Sequence, residues 1–153
     1  MWRKARNVAI TYTPLPSASD AAPKLDDRVT YQSLRGDKIK SVRGIDAPAG
    51  DGAWDWRGRG WLLVASSHWE VLGFGPSGAA DASEIGRGQE GGEAWVVTFF
   101  AKTLFTPAGI DIYSRRKEGL SEGMLEAVKR ALAESEALEV RKLVGALFEV
   151  RRD

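Results

Sequence analysis

Over the first 115 residues, apolar and polar positions alternate in short runs, separated by clusters of proline, glycine and small polar residues. In residues 7–15, Val8, Ile10 and Tyr12 fall on one side of an extended chain and Ala9 and Thr11 on the other, as in a half-buried strand. Similar runs occupy residues 28–34 and 38–46, with Arg35-Gly36-Asp37 between them as a hairpin turn. Further strands are expected at 54–65, 68–75, 95–101 and 109–115, with Ser66-Ser67 turning the chain between the fourth and fifth. The polar, proline-containing stretch 16–27 and the segment 47–53 read as loops, and residues 76–94 as a long flexible connection. Thr106-Pro107-Ala108-Gly109 is a turn signal.

The period changes at Ser121. This residue can cap a helix whose first turn carries Glu122, and Met124, Leu125, Val128 and Leu132 then recur at helical spacing. The pattern predicts a helix to about residue 136, with Glu126 and Arg130 as an i,i+4 pair on its polar side. Val140, Leu143, Val144 and Leu147 predict a further helical turn or two, and residues 148–150 a short terminal strand. Seven strands followed by a helix predict an all-β fold with a C-terminal α-helix, an antiparallel sheet that curls or closes with the helix packed outside, as a single domain over residues 1–153.

Composition narrows the chemistry. With no cysteine there is no disulfide, no thiolate nucleophile and no cysteine-bound zinc, and a single histidine leaves little for a histidine metal cluster. A net charge of +1, from 22 basic and 21 acidic residues, provides no strong overall field toward nucleic acid or anionic lipid. No apolar run approaches the roughly 20 residues of a membrane span. The N-terminus has charge but no apolar signal core, so the expected location is cytoplasmic. Phosphate loops, nucleophile elbows and carboxylate metal motifs are absent, and no motif calls for a cofactor.

Residues 54–75, WDWRGRGWLLVASSHWEVLGFG, hold four of the six tryptophans and the only histidine. Arginines beside aromatics can grip single-stranded nucleic acid. Alternation from Trp54 argues otherwise. Trp54, Trp56, Gly58, Gly60, Leu62 and Val64 would share an uncharged face, and Asp55, Arg57 and Arg59 the opposite one. Alternation therefore weighs against nucleic acid as a partner and favours an apolar barrel wall with a charged outside. In residues 95–101, Trp95, Val97 and Phe99 form one apolar face and Val96 and Phe100 another. One of these faces can line a barrel while the other meets the helix. Two readings stay open for all these aromatics: pocket lining or plain core packing, since small barrels also fill themselves with side chains.

His68 and Glu70 lie two apart on one strand and could touch, a pairing able to do general acid–base work. The alternative places them outward in solvent. Asp111 and Tyr113 are further candidates by the same spacing.

The run GIDIYSRRKEGLSEGMLEAVKRAL, with Tyr113-Ser114-Arg115 at a strand end before the helix, resembles the C-terminal part of lipocalins. Upstream, VTYQSLRGDKIKSVRG resembles their "Y-S-L" to "K-I-K-V" hairpin. The resemblance implies an antiparallel up-and-down β-barrel binding a small hydrophobic ligand, with Trp54, Trp56, Leu62, Val64, Trp95, Val97 and Phe99 along its wall and Arg115 in a structural role at its base. It also carries a departure: the lipocalin Gly-x-Trp of the first strand has no counterpart at the start of this chain, and Gly52-Ala53-Trp54 lies mid-chain. The expectation is a missing first strand whose open edges are covered by a rearranged N-terminus or another copy, as in a homo-oligomer. An isomerase or cyclase using His68 and Glu70 in the same pocket, and a protein-interaction module, are the other function classes.

Overall fold

Seven strands follow one another along the chain: β1 (Ala5–Pro14), β2 (Leu25–Ser33), β3 (Ile39–Gly50), β4 (Ala53–Gly58), β5 (Ser66–Gly75), β6 (Trp95–Phe100) and β7 (Gly109–Ser114). Two helices, α1 (Glu122–Ala133) and α2 (Leu138–Val144), come after them. The computed structural model describes residues 2–17, 23–75, 93–104 and 106–153. The expected connection at 76–94 lies outside the described residues apart from its last two positions. The strands form one antiparallel sheet in the order β1-β2-β3-β4-β5-β6-β7, the up-and-down arrangement that alternation predicts. Among the described residues, no helix is long and apolar enough to cross a membrane.

The chain divides into two compact units. The first comprises Met1–Glu70, Phe100–Gly109 and Phe148–Asp153. Its ladders are long and regular, and β2 pairs with β3 without interruption from Leu25↔Asp46 to Gln32↔Ile39. β1 carries one irregularity, between Arg6 and Ala9, where Asn7 takes φ 52°. There the Asn7 N–H donates to the Arg151 carbonyl (2.9 Å), and Arg6 bridges Arg151 in parallel. The short strand expected at 148–150 does not form, and the bridge is made by Arg151 just beyond it. Polar side chains hold the same corner: Arg6 pairs with Asp37 and Asp153.

The second unit comprises Val71–Phe99 and Ile110–Leu147. Its core is Val97 and Ile110 from the strands with Val128, Leu132 and Val140 from the helices. Trp95, Phe99, Ile112, Met124 and Leu143 pack around it. Met124, Val128 and Leu132 are the i, i+4, i+8 stripe of α1, so the helical period read from sequence is the buried face. Ser121 caps α1 as expected: its Oγ accepts the Met124 N–H (3.4 Å). That hydroxyl also donates to Glu93 Oε2 (2.9 Å), and the Ser121 N–H donates to Glu93 Oε1 (3.1 Å). The helix ends at Ala133, three residues early, and the chain turns through Ser135, whose Oγ accepts the Ala137 N–H (3.2 Å). On its polar side Glu126 pairs with Lys129 at i,i+3 (2.8 Å), one position short of Arg130.

Four local expectations are corrected. The strand expected at 54–65 stops at Gly58. Gly60 adopts φ 64°, a conformation that favours glycine, and Gly60–Leu62 form a single 3-10 turn. The chain closes on itself where the Gly58 N–H donates to the Ala65 carbonyl (3.0 Å). Ser66-Ser67 are therefore no turn but the start of β5, opposite Arg57 and Trp56. Residues 47–50 belong to β3, because Asp51-Gly52 make a tight turn flanked by Gly50 at φ 142° and Gly52 at φ 72°. Finally, β2 begins at Leu25, so Asp26 and Asp27 are strand residues.

Candidate functional site

Register decides which side chains share a face in the first unit. Tyr12 lies opposite Asp27, Asp27 opposite Gly44, and Gly44 opposite Gly58. In the next inward row Leu25, Asp46, Trp56 and Ser67 are aligned, and in the one after it Pro48, Trp54 and Trp69. Directly opposed residues point to the same side, as do residues two apart on one strand. One face therefore carries Tyr12, Asp27, Asp46, Trp54, Trp56 and Trp69 together.

The aromatics are layered. Trp54 and Trp69 stack with centroids 5.8 Å apart and planes at 15°, and Tyr12 stacks on Trp69 at 5.9 Å and 27°. Trp56 lies flat over β3, in the space a side chain at position 44 would take: a Cβ on Gly44 would stand 2.1 Å from Trp56 Nε1. Gly44 gives the indole its room, while Gly58 in the same row makes room for Leu62 of the returning chain.

Between these rings sit two carboxyls. Asp46 is 0% exposed, and its Oδ1 accepts the Trp69 indole N–H at 2.7 Å. Its second oxygen, Oδ2, is buried without a hydrogen-bond partner, as are Asp27 Oδ1 and Trp56 Nε1. The Trp56 indole is close enough to Asp27 to favour its ionised form, but completes no hydrogen bond there. Burial, reinforced by the neighbouring charge of Asp46, raises the Asp27 carboxyl to about 7. Burial also raises Asp46, and the Trp69 hydrogen bond opposes that rise. Asp27 thus stands near half-protonation at neutral pH. It offers an O–H to an acceptor or an oxygen to a donor, inside an aromatic frame.

The opposite face is charged. Asp26 Oδ2 and Oδ1 accept from Arg43 (3.0 Å) and Arg59 (3.1 Å), and these guanidinium groups hold its carboxyl below the usual range. On the same face Asp55 lies opposite His68. His68 Nδ1 is 2.7 Å from Asp55 Oδ1, and Nε2 is 3.2 Å from Glu70 Oε1. The Asp55 hydrogen bond, assisted by Glu70, raises the imidazole above its ordinary value. All three side chains are well exposed, His68 at 40%. Among the described residues, no group of three or more histidine, aspartate or glutamate side chains is placed to hold a metal ion.

The residues singled out from sequence therefore separate. Trp54 and Trp56 join the aromatic face. Leu62 lies in the 3-10 turn and Val64 is 82% exposed beyond it, so neither continues the β4 face. Trp95, Val97 and Phe99 share one face of β6, as alternation predicts, and pack in the second unit's core against the helices. Arg115 is exposed just after β7, where its N–H donates to the Ala94 carbonyl (3.2 Å). His68 and Glu70 do touch, but on the face opposite Trp54 and Trp69. Asp111 and Tyr113, two apart on β7, also meet: the Tyr113 hydroxyl donates to Asp111 Oδ2 (3.1 Å).

Asp27 and Asp46 were not legible as a pair. Asp27 falls in a stretch that reads as a polar loop, and Asp46 at a strand's end. The available signal was parity: Asp27 lies two before Val29, and Asp46 four after Val42, so each continues a buried face.

No family model matches this chain, and no solved structure matches it. It is similar to Botcinic acid biosynthesis cluster B protein 12 of Botryotinia fuckeliana (strain B05.10), with 30% identity over 153 residues, 95% of this chain and 64% of that protein, so that the chain spans less than two thirds of its relative's length.

Proposed function

We propose that this chain binds a small, largely apolar molecule bearing at least one hydrogen-bonding group, held against Tyr12, Trp54, Trp56 and Trp69. The observation that carries the reading is the set of buried polar atoms without partners, Asp27 Oδ1, Asp46 Oδ2 and Trp56 Nε1, among stacked rings. Leaving such atoms unpaired costs about 1–3 kcal/mol each. A ligand supplying a donor and an acceptor would recover that cost while its apolar body covers the rings. Binding in this manner agrees with the ligand-carrying role that the lipocalin resemblance implies.

Acid–base catalysis on the bound molecule, of isomerase or cyclase type, is a second reading. It is favoured by one observation: the Asp27 carboxyl is raised to about 7, where a general acid or base works best at neutral pH. The relative's name, a biosynthesis cluster protein, is compatible with either role.

Mass spectrometry of small molecules co-purifying with the chain, followed by tryptophan-fluorescence titration with what is found, tests the binding. The expected result is quenching that weakens at least tenfold in Asp27→Ala and Trp54→Ala. No co-purified molecule, together with no response to a broad panel of lipids, retinoids and aromatic metabolites, would overturn it. If binding holds but Asp27→Asn binds and leaves every turnover of that ligand unchanged, the catalytic reading fails alone.

A further inference from the structure

Large apolar side chains that water should not see are concentrated on three connections of the meander. In an antiparallel up-and-down sheet the β2–β3, β4–β5 and β6–β7 connections leave the same end. All three belong to the first unit. The Ala101 N–H donates to the His68 carbonyl (2.9 Å), which sets the β6–β7 connection beside the start of β5. In the β4–β5 connection the consecutive residues Trp61-Leu62-Leu63-Val64 stand at the tip, with Trp61 87% and Val64 82% exposed. Leu104 in the β6–β7 connection is 91% exposed, and Ile39 at the β2–β3 connection 69%. Single exposed apolar residues need no explanation, but several gathered on the β4–β5 tip and the connection beside it do.

Charge at this end departs from the near-neutral whole. Residues 34–40, 57–66 and 100–109 contain Arg35, Lys38, Lys40, Arg57, Arg59 and Lys102 and a single acid, Asp37, which is itself paired with Arg6. The tip is therefore apolar, carries an indole, and is surrounded by cations. Arg59 is paired with Asp26, but a protein core would complement only the apolar part and leave the other cations of these connections without an anionic partner surface. The surface of a bilayer containing anionic phospholipid complements both: aliphatic side chains enter the acyl boundary, the indole sits at headgroup level, and lysine and arginine meet lipid phosphates. The 3-10 turn makes this arrangement possible. By ending β4 at Gly58, it leaves Trp61, Leu63 and Val64 exposed off the sheet, with Leu62 folded back against Gly58.

We infer that the Trp61–Val64 tip, with Leu104 and the surrounding basic residues, docks the protein on anionic membrane surfaces. This site is separate from the aromatic face and independent of what that face binds. The test is flotation of the full chain with vesicles of pure phosphatidylcholine and of phosphatidylcholine with 30% phosphatidylserine, roughly the anionic content that attracts basic segments. Binding to the anionic vesicles is expected, with a blue shift of tryptophan emission, and should weaken at least tenfold between low and high salt. The triple variant Trp61→Ser, Leu63→Ser, Val64→Ser, altered only at exposed positions, should keep the wild-type circular dichroism and lose at least tenfold in vesicle binding. Lys38→Glu with Lys102→Glu should lose the preference for anionic vesicles. Wild-type protein that fails to float with either vesicle would overturn the inference, as would a triple variant that floats as well as wild type. Concentration-dependent self-association abolished by the triple variant, without vesicle binding, would assign the tip to a contact between copies instead and overturn it too.

Discussion

Trp56 occupies the place where Gly44 would otherwise carry a side chain: a Cβ there would lie 2.1 Å from Nε1 and 2.2 Å from Cε2 of the indole. The pair sits on neighbouring strands, and the indole that replaces the missing side chain is also the one that favours ionisation of the Asp27 carboxyl. Gly44→Ala would force the ring outward. The expected cost is about 1–3 kcal/mol, typical of overpacking. Urea denaturation measures it, and a change in native tryptophan emission should accompany it. Stability within about 0.3 kcal/mol of wild type, on the scale of a neutral surface change, would contradict the packing.

Asp27 makes stability depend on pH. Its carboxyl is raised from 3.8 in the unfolded chain to about 7 in the folded one, so the folded state holds a proton that the unfolded state has lost. Between those values, rising pH therefore lowers stability. The cost is absent below about 4 and complete above about 7, on the order of 4 kcal/mol. Asp27→Asn should remove this contribution and stabilise the protein more at pH 8 than at pH 5. Equal changes in denaturation midpoint at the two pH values would refute the assignment.

The His68 imidazole has the opposite linkage. Its protonated form is favoured first by Asp55 and then by Glu70, so its folded value lies above 6.5. The stability it contributes is fully present below 6.5 and disappears as pH rises through the folded value. Because the chain has one histidine, its NMR titration is unambiguous. Asp55→Asn should bring the titration midpoint down. A midpoint unchanged by that substitution would mean that the 2.7 Å contact is not made in solution.

Ser121→Ala removes a hydroxyl that serves both the Met124 N–H and Glu93. A loss of about 0.5–2 kcal/mol is expected, in the range of N-cap deletions. Glu93→Gln keeps an acceptor for the Ser121 N–H and should cost less. If Ser121→Ala is neutral, the cap is carried by Glu93 alone.

Period-two alternation made the strand order readable, and period 3.6 made α1 readable, because both are set by which residues must leave water. Trp54 and Trp56 were correctly parted from Asp55 and Arg57 for the same reason. The end of β4 was not readable from alternation, which continues through Leu62 and Val64. What stops the strand is the backbone freedom of Gly60 and the contact of Gly58 with the returning chain: a Cβ on Gly58 would stand 2.3 Å from the Leu62 carbonyl oxygen. The carboxyl pair escaped because a charged residue in a polar stretch reads as solvated. Asp46 is buried only because β4 and β5 bring Trp56 and Trp69 over it, and that register is a property of the folded sheet.

Strand order identical to chain order has a consequence for how the sheet comes together. Each ladder joins strands adjacent in sequence, so no pairing must await a distant segment, and the longest loop to close is the one between β5 and β6. The uninterrupted β2–β3 register, with β4 added through the Asp51-Gly52 turn, is the natural place for assembly to start. Amides of β3, hydrogen-bonded on both sides, should gain protection earliest in refolding and lose it last in native-state exchange. The carboxyls would then be enclosed late, when β5 delivers the Trp69 indole to Asp46, and the chain would keep them hydrated until its framework exists.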